Sequence, residues 1–231
     1  YASELNDRMF LRHLDKFDRV VCVSDYMKKD VAARGFSEDR LQTIYNGVEI
    51  PEAPCRDGDY LLSLGRLVRL KGLDALIRAM QNTKCQLRIC GEGPERRDLE
   101  RLSQRLGLTD RIDFMGWISE EEKHRMLCEC RMFVIPSVHE AYGMVAAEAM
   151  SYGKPVIASN TGGLPEVVGD AGMLIPPQDE KALAEAISSL DGDAEKRLAM
   201  GTAARERMKA FSWDEMARRT GVLYSELVSV R

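Results

Sequence analysis

The chain of 231 residues carries 33 Lys and Arg against 37 Asp and Glu, a net charge of −4, with 45% hydrophobic and 30% charged residues. That balance suits a soluble globular protein with a sizeable core and argues against a nucleic-acid binder, whose surface is usually basic. No apolar run approaches the ~20 residues of a membrane span, and the first residues lack a signal-peptide apolar region.

The six cysteines are scattered, and Cys128-Glu129-Cys130 is too tight for a typical zinc site. Cys22, Cys85 and Cys90 lie in strand-like apolar runs and read as buried free thiols. This usage fits a reducing cytosol, so a cytoplasmic protein, peripheral to a membrane at most, is expected.

In chain order, residues 4–15 have helical spacing, RVVCVS (19–24) reads as a strand, and DYMKKDVAARG as a helix ending at Gly35. LQTIYNG gives a short strand closing on an Asn46-Gly47 turn. Residues 49–59, with two prolines, a glycine and several charges, have linker composition. From Tyr60 the alternation is regular. YLLSLG is a buried strand, LVRLKG a turn and LDALIRAM a helix. Arg66 and Lys71 flank the mouth of that turn, either as a diphosphate clamp or as ordinary surface charges.

CQLRIC is the next strand, and Gly91-x-Gly93 with Pro94 opens another helix; without a third glycine it is a weak dinucleotide fingerprint. DRIDFMG is a strand, and Ser119 with Glu122 three residues on forms a capping-box pattern ahead of the following helix. Met132-Phe133-Val134-Ile135 is a buried strand stopped by Pro136. A loop with Ser137, His139 and Glu140 follows, then a helical pattern from about Gly143 to Tyr152, a PVIAS strand, and the Gly162-Gly163 break. The last third is helical: EKALAEAISSL, AEKRLAMGTAARERMKAF and DEMARRTGVLYSELVSV.

Glu140 just before a helix and Glu148 two turns inside it are separated by at most roughly 12 Å along the axis. Free amides from Ala141 to Val145 lie between them at the positive end of the helix dipole. A diphosphate on those amides, with a carboxylate for each flanking sugar, is one reading. A plain loop residue and a solvated helix position is the other.

The stretch PSVHEAYGMVAAEAMSYGKPVIASNTGGLPEVV (136–168) resembles the signature of the retaining, sugar-nucleotide-dependent glycosyltransferases called group 1. That family has the two-domain GT-B architecture and a Glu-x7-Glu motif in its C-terminal, donor-binding domain. The resemblance implies that Glu140 contacts the transferred sugar and Glu148 the ribose. SLGRLVRLKG resembles the phosphate-contacting segment, implying that Gly65, Arg66 and Lys71 hold the diphosphate. GEGPE, with Gly91, Glu92 and Gly93, resembles the turn lining the nucleotide pocket. Trp117 and Ile118 are base-pocket candidates, with core packing as the alternative. His139 and the stretch Ala141, Tyr142, Gly143, Met144 and Val145 complete the implied donor site.

The expected fold is therefore α/β, a Rossmann-like parallel sheet with helices on both faces. Residues 1–48 resemble a remnant of the acceptor-side domain, 49–59 a linker, and 60–231 the donor domain, whose final helix in the family crosses back to the other half. The implied activity is transfer of a sugar from a nucleoside diphosphate sugar, UDP- or GDP-linked, to an acceptor hydroxyl with retention. Arg66, Lys71 and Glu140 carry it, and neither cofactor nor metal is needed. The acceptor side would come from a missing N-terminal half or a partner chain, and only that half could touch a membrane. A sugar-nucleotide-binding subunit, inactive alone, is the alternative. An epimerase on the same architecture is disfavoured by the closeness of residues 136–168 to the transferase pattern, and a phosphorylase would need a pyridoxal lysine, for which no motif stands out.

Overall fold

The computed structural model describes residues 13–14, 16–52 and 55–229. The helix expected over 4–15 falls almost wholly outside them. The chain divides into two compact units, Val48–Ala210 and a second that joins residues 1–47 to Phe211 onward.

In the smaller unit, β1 (Val20–Cys22) and β2 (Leu41–Thr43) pair in parallel, with α1 (Asp25–Ala33) as the crossover. Ser24 caps α1, its hydroxyl accepting from the Met27 amide at 3.0 Å. Val31 and Phe36 pack on Cys22 and Leu41, a small core for so short a piece. No turn forms at Asn46-Gly47, contrary to the expected strand-closing turn. The strands are parallel and need no hairpin, and Gly47 has another reason to be glycine. A Cβ there would lie 2.7 Å from Trp213.

The larger unit holds β3 (Tyr60–Leu64), α2 (Leu73–Ala79), β4 (Gln86–Cys90), α3 (Arg96–Arg105), β5 (Ile112–Gly116), α4 (Glu120–Glu129), β6 (Met132–Ile135), α5 (Met144–Ser151), β7 (Val156–Ser159), α6 (Leu164–Val168), β8 (Met173–Ile175), α7 (Glu180–Asp191) and α8 (Ala194–Met208). The six strands are parallel in the order β5-β4-β3-β6-β7-β8. Every residue of β3, β6 and β7 is buried, which is why they read as continuous apolar runs rather than alternating ones. On one face Leu61, Leu87 and Ile89 meet Leu76 of α2, Leu99 of α3 and Ile187 of α7. On the other, Cys90 lies 3.6 Å, sulfur to sulfur, from Met126 of α4, whose carbonyl accepts from the Tyr60 hydroxyl. The chain steps outward from β3 to β5 and then returns to β6 on the opposite side. The order therefore reverses between β3 and β6, and the crevice beyond their carboxyl ends is where such sheets bind ligands.

The stretch expected as a linker is pinned residue by residue over 55–58. Cys55 is disulfide-bonded to Cys128, a pairing the sequence reading did not propose; Cys22, Cys85 and Cys90 are free and buried as expected, and so is Cys130. Lys154 donates to the carbonyls of Arg56 (2.5 Å) and Cys130 (2.8 Å). Arg197 grips the Asp57 carboxylate at 2.6 Å, and Arg131 donates to the Gly58 carbonyl at 2.9 Å. Lys154 and Arg197 are almost fully buried, and such cations persist inside a protein only when partnered in this way. Burial also pulls the Lys154 ammonium below the usual lysine range.

The last helix, α9 (Trp213–Ser229), groups with residues 1–47 in the smaller unit. Tyr45 and Phe211 have ring centroids 5.0 Å apart, and the Gly47 amide points at the Met216 sulfur at 3.3 Å. These contacts tie the C-terminal segment to residues 1–47.

Candidate functional site

The turn after β3 and the loop after β6 meet at the point where the strand order reverses. The Val138 amide donates to the Leu70 carbonyl at 2.8 Å, and a small cleft there is lined by Gly65, Lys71, Pro136 and Ser137. Within it Lys71 Nζ forms an ion pair with Glu140 Oε2, both side chains mostly shielded, and the buried Ser137 hydroxyl lies 3.5 Å from the same oxygen. Arg66, next in the chain to Gly65 of this cleft, is exposed and forms no ion pair among the described residues. Helix α5 begins one turn further on. Its first-turn amides, Met144 and Val145, have no intrahelical acceptor and present the positive end of the dipole to the crevice. Gly143, at φ 107°, makes the sharp bend that aims them.

Backbone touches backbone throughout this edge. A Cβ on Gly91 would overlap the Gly65 carbonyl, one on Gly72 the Pro136 carbonyl, and one on Gly162 the Glu140 carbonyl. The Gly163 amide also donates to the Glu140 carbonyl at 2.9 Å. The Gly162-Gly163 break is thus a clamp that fixes the main chain of Glu140.

Glu148 sits further along α5, and its Oε1 accepts from Lys123 Nζ of α4 at 2.9 Å. Lys123 also reaches Glu120 at 2.8 Å. Burial alone would depress the Lys123 ammonium, but its bonds to Glu120 and Glu148 outweigh that and raise it above the ordinary lysine value. The capping box expected at Ser119 and Glu122 is present and starts α4. Trp117, on the turn after β5, is 76% exposed, which removes the core-packing alternative for that residue; Ile118 is half-buried. Glu92 is exposed and pairs with Arg96 at 2.6 Å. Tyr142 is buried, so the Ala141–Tyr142 step offers the crevice backbone rather than a phenol. His139 is exposed on the loop. Sequence reasoning named Ser137 only as a loop residue and missed Lys123; Lys123 and Glu148 stand 25 positions apart on different helices, which leaves no periodic signal.

A roomier cavity of about 280 Å³ lies between α2 and α3. It is lined by Arg69, Arg78 and Arg105 against Asp74, Glu95 and Asp98. Its lining carries no net charge and offers an anion nothing.

The family model described as "Glycosyl transferases group 1" matches residues 52–207, and "Glycosyltransferase Family 4" matches residues 2–51. The chain belongs to the group 1 glycosyl transferases. An uncharacterized glycosyltransferase of Methanocaldococcus jannaschii is 34% identical over 230 residues, 97% of this chain and 64% of that protein. The D-inositol 3-phosphate glycosyltransferase of Corynebacterium jeikeium is 35% identical over 178 residues, 71% of this chain and 42% of that protein. Among solved structures, sucrose-phosphate synthase of Thermosynechococcus elongatus superposes with a TM-score of 0.89 at 31% identity, covering 99% of this chain and 63% of that one. Anabaena HepE, solved with UDP and glucose, gives 0.90 at 23% identity over 96% of this chain and 67% of that one, a likeness of fold. The chain thus spans between about half and two thirds of the length of the curated relatives it matches first. In this group 1 glycosyl transferase, the sheet, the crevice and the Glu140–Lys71 pair all lie inside the first match.

Proposed function

We propose that the larger unit binds a nucleoside diphosphate sugar, UDP-linked, for transfer of the hexose to an acceptor hydroxyl with retention. The observation that carries this is the convergence of Lys71, Glu140 and the α5 amides where the strand order reverses, with Arg66 exposed on the same turn after β3. The diphosphate sits on the Met144 and Val145 amides, and Arg66 and Lys71 neutralise the charge that grows on it as the anomeric C–O bond breaks. Glu140 receives sugar hydroxyls and Glu148 the ribose. The acceptor oxygen bonds to the anomeric carbon on the face the diphosphate leaves, and its proton passes to the departing phosphate. These cations and amides supply the positive charge without a metal. HepE was solved with UDP, which supports the choice of base.

A second reading has one specific support. The gpi3 subunit of the Schizosaccharomyces pombe phosphatidylinositol N-acetylglucosaminyltransferase is 28% identical over 241 residues, and it is named as a subunit. On that reading the chain holds donor while a partner supplies the acceptor. A thermal-shift panel of UDP, GDP, ADP and CDP, each with and without its sugar, tests the shared premise. A ligand at ~100 times its dissociation constant stabilises by about 2.7 kcal/mol, and UDP is expected to give the largest shift. No shift with any of the four refutes the donor site. Transfer assays with and without an added acceptor domain separate the two readings, and the anomeric proton coupling of the product tests retention.

A further inference from the structure

We propose that Lys123 is the positioning residue for the ribose-binding carboxylate: it fixes Glu148 so that the paired hydroxyls of the nucleotide's ribose are read through a Lys123–Glu148 unit. This rests on the donor-site reading above. Two helices that come together only in the fold make the unit, Lys123 from α4 and Glu148 from α5. The ammonium donates to Glu148 Oε1 at 2.9 Å, and both side chains are largely shielded, 19% and 24% exposed. An ionised carboxylate has about four acceptor sites on its two oxygens. Lys123 occupies one on Oε1 and leaves Oε2 for a vicinal diol. Unheld, a glutamate side chain populates many rotamers, and ordering it on binding costs affinity.

Lys123 is itself held. Glu120 takes a second N–H from the same ammonium at 2.8 Å. The capping box at Ser119 and Glu122 fixes the start of α4, and Cys128 bonds its last turn to Cys55. The charge also matters. Glu120 and Glu148 both lie within 2.9 Å of one nitrogen, so loss of the ammonium leaves two carboxylates facing each other; His124, paired to Tyr152, also acts on Glu120. Repulsion would then swing Glu148 off its direction.

A plain tie between α4 and α5 would stabilise the fold without caring what ligand is present. The two roles part on ligand selectivity. Calorimetric titration with UDP and with 2′,3′-dideoxy-UDP, on wild type, Lys123→Met, Lys123→Arg, Glu148→Gln and the Lys123→Met/Glu148→Gln pair, is the test. Lys123→Met is expected to lower UDP affinity about tenfold, the loss of one well-placed charge-assisted hydrogen bond. Affinity for the dideoxy analogue should stay within roughly twofold, because it lacks the hydroxyls that Glu148 reads. Lys123→Arg should restore the preference for the ribonucleotide, and Lys123→Met should add nothing once Glu148 is glutamine. Equal losses for both nucleotides, or an undiminished loss in the Glu148→Gln background, would overturn the proposal and leave Lys123 a tie between helices. If Lys123→Met does not fold, Lys123→Gln carries the same comparison. Wild type that binds neither UDP nor any other nucleoside diphosphate refutes the donor site itself, a pattern distinct from intact UDP binding with indifferent Lys123 variants.

Discussion

Replacing Lys71 by alanine is expected to weaken UDP binding by more than one lost phosphate contact. A charge-assisted hydrogen bond contributes ~1.5–3 kcal/mol. Lys71 also neutralises Glu140, whose Oε2 its ammonium touches. A phosphate oxygen gripped by that ammonium would lie roughly 6 Å from the carboxylate, where two unit charges repel by about 3 kcal/mol at an effective dielectric of ~20. The pair is 24% and 17% exposed, so water and salt trim this to about 1–2 kcal/mol. Lys71→Ala should therefore cost about 2.5–5 kcal/mol, roughly two to three and a half decades in Kd. Arg66, exposed and outside any ion pair among the described residues, should cost only ~1–2 kcal/mol. The decisive variant is Lys71→Ala/Glu140→Gln, which removes the stranded charge and should bind UDP about tenfold more tightly than Lys71→Ala alone. UDP has no hexose, so any contact of Glu140 with the sugar does not enter. Calorimetry at two salt concentrations reads all four proteins. A double variant no tighter than Lys71→Ala would refute the electrostatic argument.

The two glutamates should be noticed by different ligands: Glu148→Gln weakens UDP and UDP-glucose alike, whereas Glu140→Gln spares UDP and weakens only the sugar nucleotide. Equal losses of UDP affinity for both, by calorimetry, would show that Glu140 does not face the hexose. Gly162→Ala, at φ 58° with its new Cβ on the Glu140 carbonyl, should lower stability by more than ~1 kcal/mol and loosen donor binding, seen in urea midpoints and UDP titrations. An unchanged midpoint would mean the clamp is slack. Arg197→Met removes the partner of the half-exposed Asp57 and leaves the carbonyls of Leu190 and Asp191 without their donor, and should cost about 2 kcal/mol by urea unfolding. A loss under ~1 kcal/mol would show that the other ties on residues 55–58 suffice.

The central strands were legible because both faces of a parallel sheet are covered, so YLLSL, MFVI and VIAS announce themselves as unbroken apolar runs. The Ser119 capping box was legible because its chemistry is local. The edge strand β8, three residues with a mixed burial pattern, and the five-residue α6 were too short to show a period. Asn46-Gly47 gave a turn signal that tertiary contact with Trp213 overrode. Nothing in spacing pairs Cys55 with Cys128, 73 residues on, or Lys123 with Glu148. At the site, Glu140, Lys71 and Arg66 were placed by motif, but that Lys71 already carries Glu140 as its partner is a fact of the fold.

The glycine contacts along the carboxyl edge have a consequence for how this scaffold can change. Gly91 locks the β4 turn to the β3 turn, Gly72 locks the β3 segment to the β6 loop, and Gly162 locks the β7 turn to Glu140. Four turns are thereby joined main chain to main chain. Any one of them that shifted would drag its neighbours, so a lengthened loop or an added methyl is felt across the whole edge. New donor preference would then be reached by exchanging the side chains that stand out from this frame, such as His139 and Trp117, while the frame is kept. A library varied at those exposed positions should retain folded members far more often than one varied at the turns.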